Sequence, residues 1–164
     1  MHTHLQRICR FIIILSTYLS ATGQCDDWPH WRGLNHNGRV DESSHFFGEK
    51  WPPADAAWSI NVNAGGSGPI VVGDRLYTMG WKADQDHVYC IDASTGREIW
   101  QQTYDCPRYG RHSDGDKGLY SGPSSCPSFD TKTGYLYTLS ADGDLNCWDA
   151  RNGGKRVWRV NFYD

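Results

Sequence analysis

Few clusters in this chain have the residue types and spacing that chemistry needs. The densest is the stretch from Asp105 to Ser124, with Arg108, Arg111, His112, Asp114, Asp116 and Lys117. It holds more polar groups than a minimal connection requires, and loops on a rigid scaffold are where binding sites sit. Within it, Asp114-Gly115-Asp116-Lys117-Gly118 supplies the first two carboxylates of a calcium loop but lacks the later acidic ligands that complete the oxygen shell. It reads as a solvated loop. His30 and His36, beside Trp28 and Trp31, are ligand types without a third ligand at a defined spacing. Packing and hydrogen bonding account for them. Gly65-Gly66-Ser67-Gly68 is followed by Pro69 and a strand pattern, so it lacks the helix N-terminus that a phosphate cradle uses. Ser, His and Asp occur without a nucleophile elbow, which leaves hydrolysis without support. No residue is assigned a catalytic, cofactor-binding or metal-binding role.

The cysteines depend on the compartment. Arg7 and Arg10 precede an uncharged run from Phe11 to Leu19, and Ala21-Thr22-Gly23 follows, with a small residue at each of its ends. Positive, apolar and cleavable in that order is a secretory signal, expected over residues 1–23. The apolar run is about half the roughly 20 residues a membrane span requires. A lipid anchor on Cys25 would want a small residue before it, where Gln24 stands. Export to the periplasm or beyond the cell permits thiols to oxidise. Cys9 leaves with the signal, so Cys25, Cys90, Cys106, Cys126 and Cys147 remain, an odd number that cannot all pair internally. Their pairing is open. No Cys-x-x-Cys or Cys/His zinc spacing occurs. Cys90 and Cys147 lie in short apolar runs, where a free Cys acts as a small buried hydrophobe.

Composition narrows the class. The 164 residues hold 16 Lys+Arg against 19 Asp+Glu, a formal charge of −3 that becomes −5 once the signal's two arginines are gone. Nucleic-acid binding through bulk positive charge is excluded. Eight Trp and 38% hydrophobic residues also exclude a disordered chain.

The chain repeats. Pro69-Ile70-Val71-Val72, Leu76-Tyr77-Thr78, Cys90-Ile91-Asp92-Ala93, Gly96 and Trp100 return in order as Pro127-Ser128-Phe129, Leu136-Tyr137-Thr138, Cys147-Trp148-Asp149-Ala150, Gly154 and Trp158. The offsets stay between 57 and 60, so the length differences fall in turns. Each unit reads as four short strands. The first follows the Pro, the second covers Leu76–Met79 or Tyr135–Leu139, the third His87–Ile91 or Leu145–Trp148, and the fourth Glu98–Tyr104 or Val157–Phe162. Gly73-Asp74, the longer Asp130 to Gly134, and Asp142-Gly143 supply turns, the last being a hairpin pair that tolerates positive φ at both central residues. No segment shows the helical period. Sequential four-stranded antiparallel units are how propeller blades are written, because each small sheet buries its faces only against its neighbours. Trp58-Ser59-Ile60-Asn61-Val62 matches Trp158-Arg159-Val160-Asn161-Phe162, which predicts a lone fourth strand before the first complete blade. The expected organisation is an all-β, incomplete β-propeller. Its parts are a signal over 1–23, an N-terminal segment over 24–56 and a partial propeller over 57–164, with blade repeats at about 67–104 and 125–162.

Cys90 to Trp100, read as Cys-Ile-Asp-Ala-Ser-Thr-Gly-Arg-Glu-Ile-Trp, resembles the tryptophan-docking motif of the PQQ-like, quinoprotein-type β-propellers, Ala-x-Asp-x-x-Thr-Gly-x-x-x-Trp. Cys90 replaces the leading Ala. The copy from Cys147 to Trp158 keeps Asp149, Gly153 or Gly154 and Trp158, but has one extra residue and Asn152 where Thr is usual. Asp27-Trp28-Pro29-His30-Trp31-Arg32-Gly33, running on to Asn37-Gly38, is similar to the opening of exported bacterial members. The resemblance implies structural roles for Asp92, Thr95, Gly96, Trp100, Asp149 and Trp158. The Trp stacks between blades, Thr-Gly makes the turn, and the Asp bonds that turn.

Two function classes follow from the resemblance. One is a non-catalytic scaffold that binds protein partners, similar to the outer-membrane protein assembly propeller, or self-associates to complete a ring. The other is part of a periplasmic alcohol or sugar dehydrogenase holding pyrroloquinoline quinone and calcium. Such enzymes commonly carry a vicinal Cys-Cys over the cofactor, which this sequence lacks. The missing features favour the scaffold, with no cofactor. A stand-alone secreted binding module is a third class. At a period near 58, an eight-bladed ring would need roughly 460 residues, so the chain is expected to be a piece or to find its missing blade contacts elsewhere. Two blades alone would leave Trp100 or Trp158 facing solvent.

Overall fold

The computed structural model describes residues 26–40, 55–107 and 122–163. The expected signal over 1–23, Cys25, and the loop residues Arg108, Arg111, His112, Asp114, Asp116 and Lys117 lie outside the described residues.

Two four-stranded antiparallel sheets form, with no helix among the described residues. The first blade runs β1 (Ile70–Val72), β2 (Arg75–Lys82), β3 (Gln85–Asp92) and β4 (Glu98–Asp105). The second runs β5 (Ser128–Asp130), β6 (Tyr135–Leu139), β7 (Asp144–Asp149) and β8 (Lys155–Asn161). Strand order follows chain order in both sheets. The repeat seen in sequence is a repeat of register. Tyr77, Cys90 and Trp100 lie side by side across β2, β3 and β4, as Tyr137, Cys147 and Trp158 do across β6, β7 and β8. A β-bulge follows at the same place, between Cys90 and Ile91 and between Cys147 and Trp148. It leaves Ile99 and Val157 as the extra residues and turns each outer strand.

Two turns differ from expectation. β2 and β3 reach further than predicted because Ala83 and Asp84 close their hairpin, both at positive φ (53° and 61°). Neither is Gly, and Ala83 is not a residue that favours positive φ, so this tight turn carries no hairpin signature. Conversely, the Asp142-Gly143 hairpin is a longer connection in which only Gly143 takes positive φ (83°), closed by Ser140 N–H donating to the Asp144 carbonyl at 3.0 Å. The lone strand expected at Trp58–Val62 forms no ladder among the described residues. The Val62 carbonyl lies against Gly80 of β2, where a Cβ would sit 1.5 Å from it, and just beyond the segment Ala64 forms an isolated bridge with Trp81.

The N-terminal segment stitches the two blades together. Trp28 exchanges backbone hydrogen bonds with Val71 at 2.7 and 3.1 Å, and Phe129 N–H donates to the Pro29 carbonyl at 2.9 Å. β1 and β5 are edge strands, and capping them with a shared segment removes two exposed rows of backbone groups. The core runs across the junction. Ile70, Tyr77, Met79, Val88 and Cys90 of the first blade pack with Phe129, Leu136 and Trp148 of the second. The Tyr77 and Phe129 rings stack at 5.4 Å, and Tyr104 meets Trp148 at 5.9 Å.

Candidate docking surface

The turn after β3 shows what the motif residues do. The Asp92 carboxylate accepts from the Ser94 hydroxyl at 2.7 Å, the Ser94 N–H at 3.0 Å, and the Thr95 hydroxyl and N–H at 2.9 Å each. Bonds from Ser94 and then Thr95 hold its pKa down to about 2. Gly96 N–H closes the turn on the Asp92 carbonyl at 2.9 Å, with Gly96 at φ 72°. In the second blade Asn152 replaces Thr, the Asp149 carboxylate accepts from Arg151 N–H at 3.2 Å, and Gly154 N–H closes the turn on the Asp149 carbonyl at 3.0 Å.

These turns are sockets for tryptophan. Trp100, on β4, donates its indole N–H to the Ala150 carbonyl at 3.3 Å and lies over Gly154, where a Cβ would sit 2.7 Å from the ring. Trp58 repeats the arrangement on the first blade, donating to the Ala93 carbonyl at 3.0 Å over Gly96, where a Cβ would sit 2.6 Å from the ring. Only glycine combines the positive φ with that approach. The sequence marked Trp58 as a copy of Trp158; its docking is visible only in three dimensions.

Trp158 is the third indole of the series and has no socket among the described residues. It is prepared as Trp100 is. The Tyr137 and Trp158 rings lie 6.0 Å apart at 45°, against 6.0 Å and 48° for Tyr77 and Trp100. Yet Trp100 is 8% exposed and Trp158 is 40% exposed. Val160, two residues along β8, shares its face, and Phe162 continues the alternation. All three are exposed, with Val157 and Tyr163 beside them.

Residues 52–114 match the family described as the outer membrane protein assembly factor BamB, a PQQ repeat family. The chain carries a PQQ-like propeller repeat. No curated protein matches its sequence. A solved structure described as a europium-containing methanol dehydrogenase aligns at 22% identity and a TM-score of 0.44, over 64% of this chain and 18% of the dehydrogenase. The chain therefore spans less than a fifth of that neighbour's length.

The fold also places the other sequence candidates. His30 and His36 stack at 5.0 Å, and His30 Nδ1 bonds the Ser128 hydroxyl at 2.8 Å. Burial, with His36 adding to it, lowers the His30 pKa. The pair fastens the N-terminal segment to β5. Gly66 N–H donates to the Pro123 carbonyl at 2.9 Å, so that Gly-rich stretch packs against chain. Among the described residues Cys90, Cys126 and Cys147 are free thiols, and Cys90 and Cys147, the two in apolar runs, are fully buried as expected. Among the described residues no three His, Cys, Asp or Glu side chains are arranged to hold a metal ion, and no helix is long and apolar enough to cross a membrane.

One cluster was missed in the sequence. Asp86, on β3, is fully buried where the blades meet, and its Oδ2 accepts from the Tyr104 hydroxyl at 3.0 Å. On the facing blade Asp144 is 2% exposed and takes Arg159 Nε at 2.7 Å, Arg159 NH2 at 2.6 Å and Asn161 Nδ2 at 2.7 Å. Asp86 is followed by His87 where the second blade has Gly143-Asp144, so the two carboxylates occupy different repeat positions and no periodic pattern joins them.

Proposed function

We propose that this chain is an exported, non-catalytic propeller-type scaffold that binds protein through the outward face of β8. The observation that carries the reading is the uncovered Trp158, held by Tyr137 in the geometry of the docked Trp100. The match of residues 52–114 to the assembly-factor family supports it. Among the described residues, the glycine sockets at Gly96 and Gly154 are filled by Trp58 and Trp100. On this reading the partner protein supplies Trp158 with a glycine turn that has a free carbonyl, or with a flat apolar surface. Pyrroloquinoline quinone and calcium are not part of this function.

The test is site-directed photo-crosslinking in the producing cells from position 160 on the β8 face and, as a control, from Lys132 on the β5–β6 turn. A protein adduct formed from position 160, and lost when Trp158 and Phe162 are changed to Ser, is expected. Equal adducts from both positions, or specific uptake of pyrroloquinoline quinone with calcium by the purified chain, would overturn the scaffold reading.

A further inference from the structure

We propose that the seam between the two blades is a proton-sensitive joint, closed when Asp86 is the neutral acid and loosened when Asp86 is a carboxylate. Asp86 has no contact with solvent, and its Oδ1 has no hydrogen-bond partner. A carboxylate is an acceptor on both oxygens, and an unanswered buried charge is the costliest form this side chain can take. Protonation removes that charge without moving any neighbour.

Among the described residues, the groups that act on Asp86 are not cations. From β4 and the residue following it come the Tyr104 hydroxyl and the Cys106 thiol, both neutral donors. From the second blade come Asp142 and Asp144, whose negative charges add to the cost. The Arg159 guanidinium on β8 is engaged at two nitrogens by Asp144. Along β3 the neighbours Gln85 and His87 lie on the opposite face, bonded to Asp105 and Gln101. Among the described residues, Asp86 and Asp144 are the buried carboxylates of the seam, and Arg159 is paired with Asp144 and not with Asp86. Burial is the largest effect on Asp86 and pushes its pKa up to about 6, against the opposing bonds from Tyr104 and Cys106. The same burial, with Asp86 beside it, pushes the Cys106 thiol up to about 12.

The direction of the pH effect follows. The unfolded chain releases this proton near 3.8 and the folded chain near 6. Between those values the folded state holds a proton that the unfolded state does not, so the contribution of Asp86 is fully present below about 3.8, declines as pH rises through 6 and is absent above. By linkage, the folding constant falls on the order of a hundredfold over that window from this group. His30 acts in the opposite direction, because its lowered pKa makes the folded chain release a proton that the unfolded chain keeps up to 6.5. The contribution of Asp86 is therefore read as a difference between wild type and variant. Loosening has an exit for water, since a cleft of about 400 Å³ lined by Tyr104, Arg156 and Arg159 opens on the outer side of the seam.

The experiment compares the full chain with Asp86→Asn, which keeps the acceptor for Tyr104 and cannot ionise. Urea unfolding from pH 4 to 8 is paired with alkylation of Cys106, resolved from Cys90 by peptide mass. The variant should fold about 10- to 100-fold more favourably than wild type at pH 7.5 and match it at pH 4. At pH 7.5 its Cys106 should react more slowly. A variant that is no more stable than wild type at pH 7.5, with an unchanged pH profile, would overturn the proposal. If the variant does not fold, wild type decides alone. Its ratio of Cys106 to Cys90 alkylation must rise between pH 5 and 7.5, and a constant ratio overturns the joint.

Discussion

Trp100 and Trp158 occupy the same register position in successive blades, each beside a Cys on the next strand and 6.0 Å from a Tyr, yet one is covered and the other is open to water. The difference lies outside the blade that carries the indole. Trp100 is buried because the next unit brings the Gly154 turn and the Ala150 carbonyl to it. Each blade is thus a complete donor by itself and becomes buried only when a neighbour supplies the acceptor. That is the physical content of a repeat whose stability is a sum over interfaces.

The largest expected effect separates the two indoles. A buried Trp covers roughly 150–250 Å² and dominates such a contact. Trp100→Ala should cost about 3–5 kcal/mol in urea unfolding, whereas Trp158→Ala should cost about 1 kcal/mol or less. Equal losses would mean that Trp158 is covered in solution, and the open face would have to be abandoned.

The sockets sharpen the contrast at a smaller scale. Gly153 and Gly154 both have positive φ, 63° and 70°, but a Cβ at Gly153 meets nothing within 4 Å while one at Gly154 meets the Trp100 ring at 2.7 Å. Gly153→Ala should therefore cost the backbone conformation alone, about 1–2 kcal/mol. Gly154→Ala adds displacement of the indole, and the gap between the two should shrink when Trp100 is already Ala. A double-mutant cycle measures that coupling, and additive effects would show that the ring does not depend on the socket.

Much of this was legible because both the strand period and the motif are local. Alternating apolar residues between Gly- and Asp-rich turns fixed the eight strands to within a few residues, and the Asp92 to Trp100 spacing fixed the turn. The Ala83-Asp84 hairpin was not legible, since neither residue advertises positive φ and the pairing of Lys82 with Gln85 enforces it. Nor was Asp86, which looks like any polar residue in an alternating strand until a second sheet closes over it. Sequence offsets marked which indole matches which; they could not say that Trp58 already fills the first socket. His30 and His36 were legible as packing residues, but their partner, Ser128, is 98 positions from His30.

The smallest expected effect tests the turn that builds a socket against its degenerate copy. The Asp92 carboxylate receives four hydrogen bonds from Ser94 and Thr95, and the Asp149 carboxylate receives one, from Arg151. Because those bonds lower the Asp92 pKa from 3.8 to about 2, its contribution is present above 3.8 and is lost as pH falls toward 2. Asp92→Asn should therefore flatten the acid limb of the stability profile, and Asp149→Asn should leave it nearly unchanged. Asn152→Thr should then import the missing hydroxyl and give the second blade an acid-sensitive turn of its own, read as a steeper limb that Asp149→Asn now abolishes. If the steeper limb does not appear, the extra residue in the second copy, and not the missing hydroxyl, sets the difference between the turns.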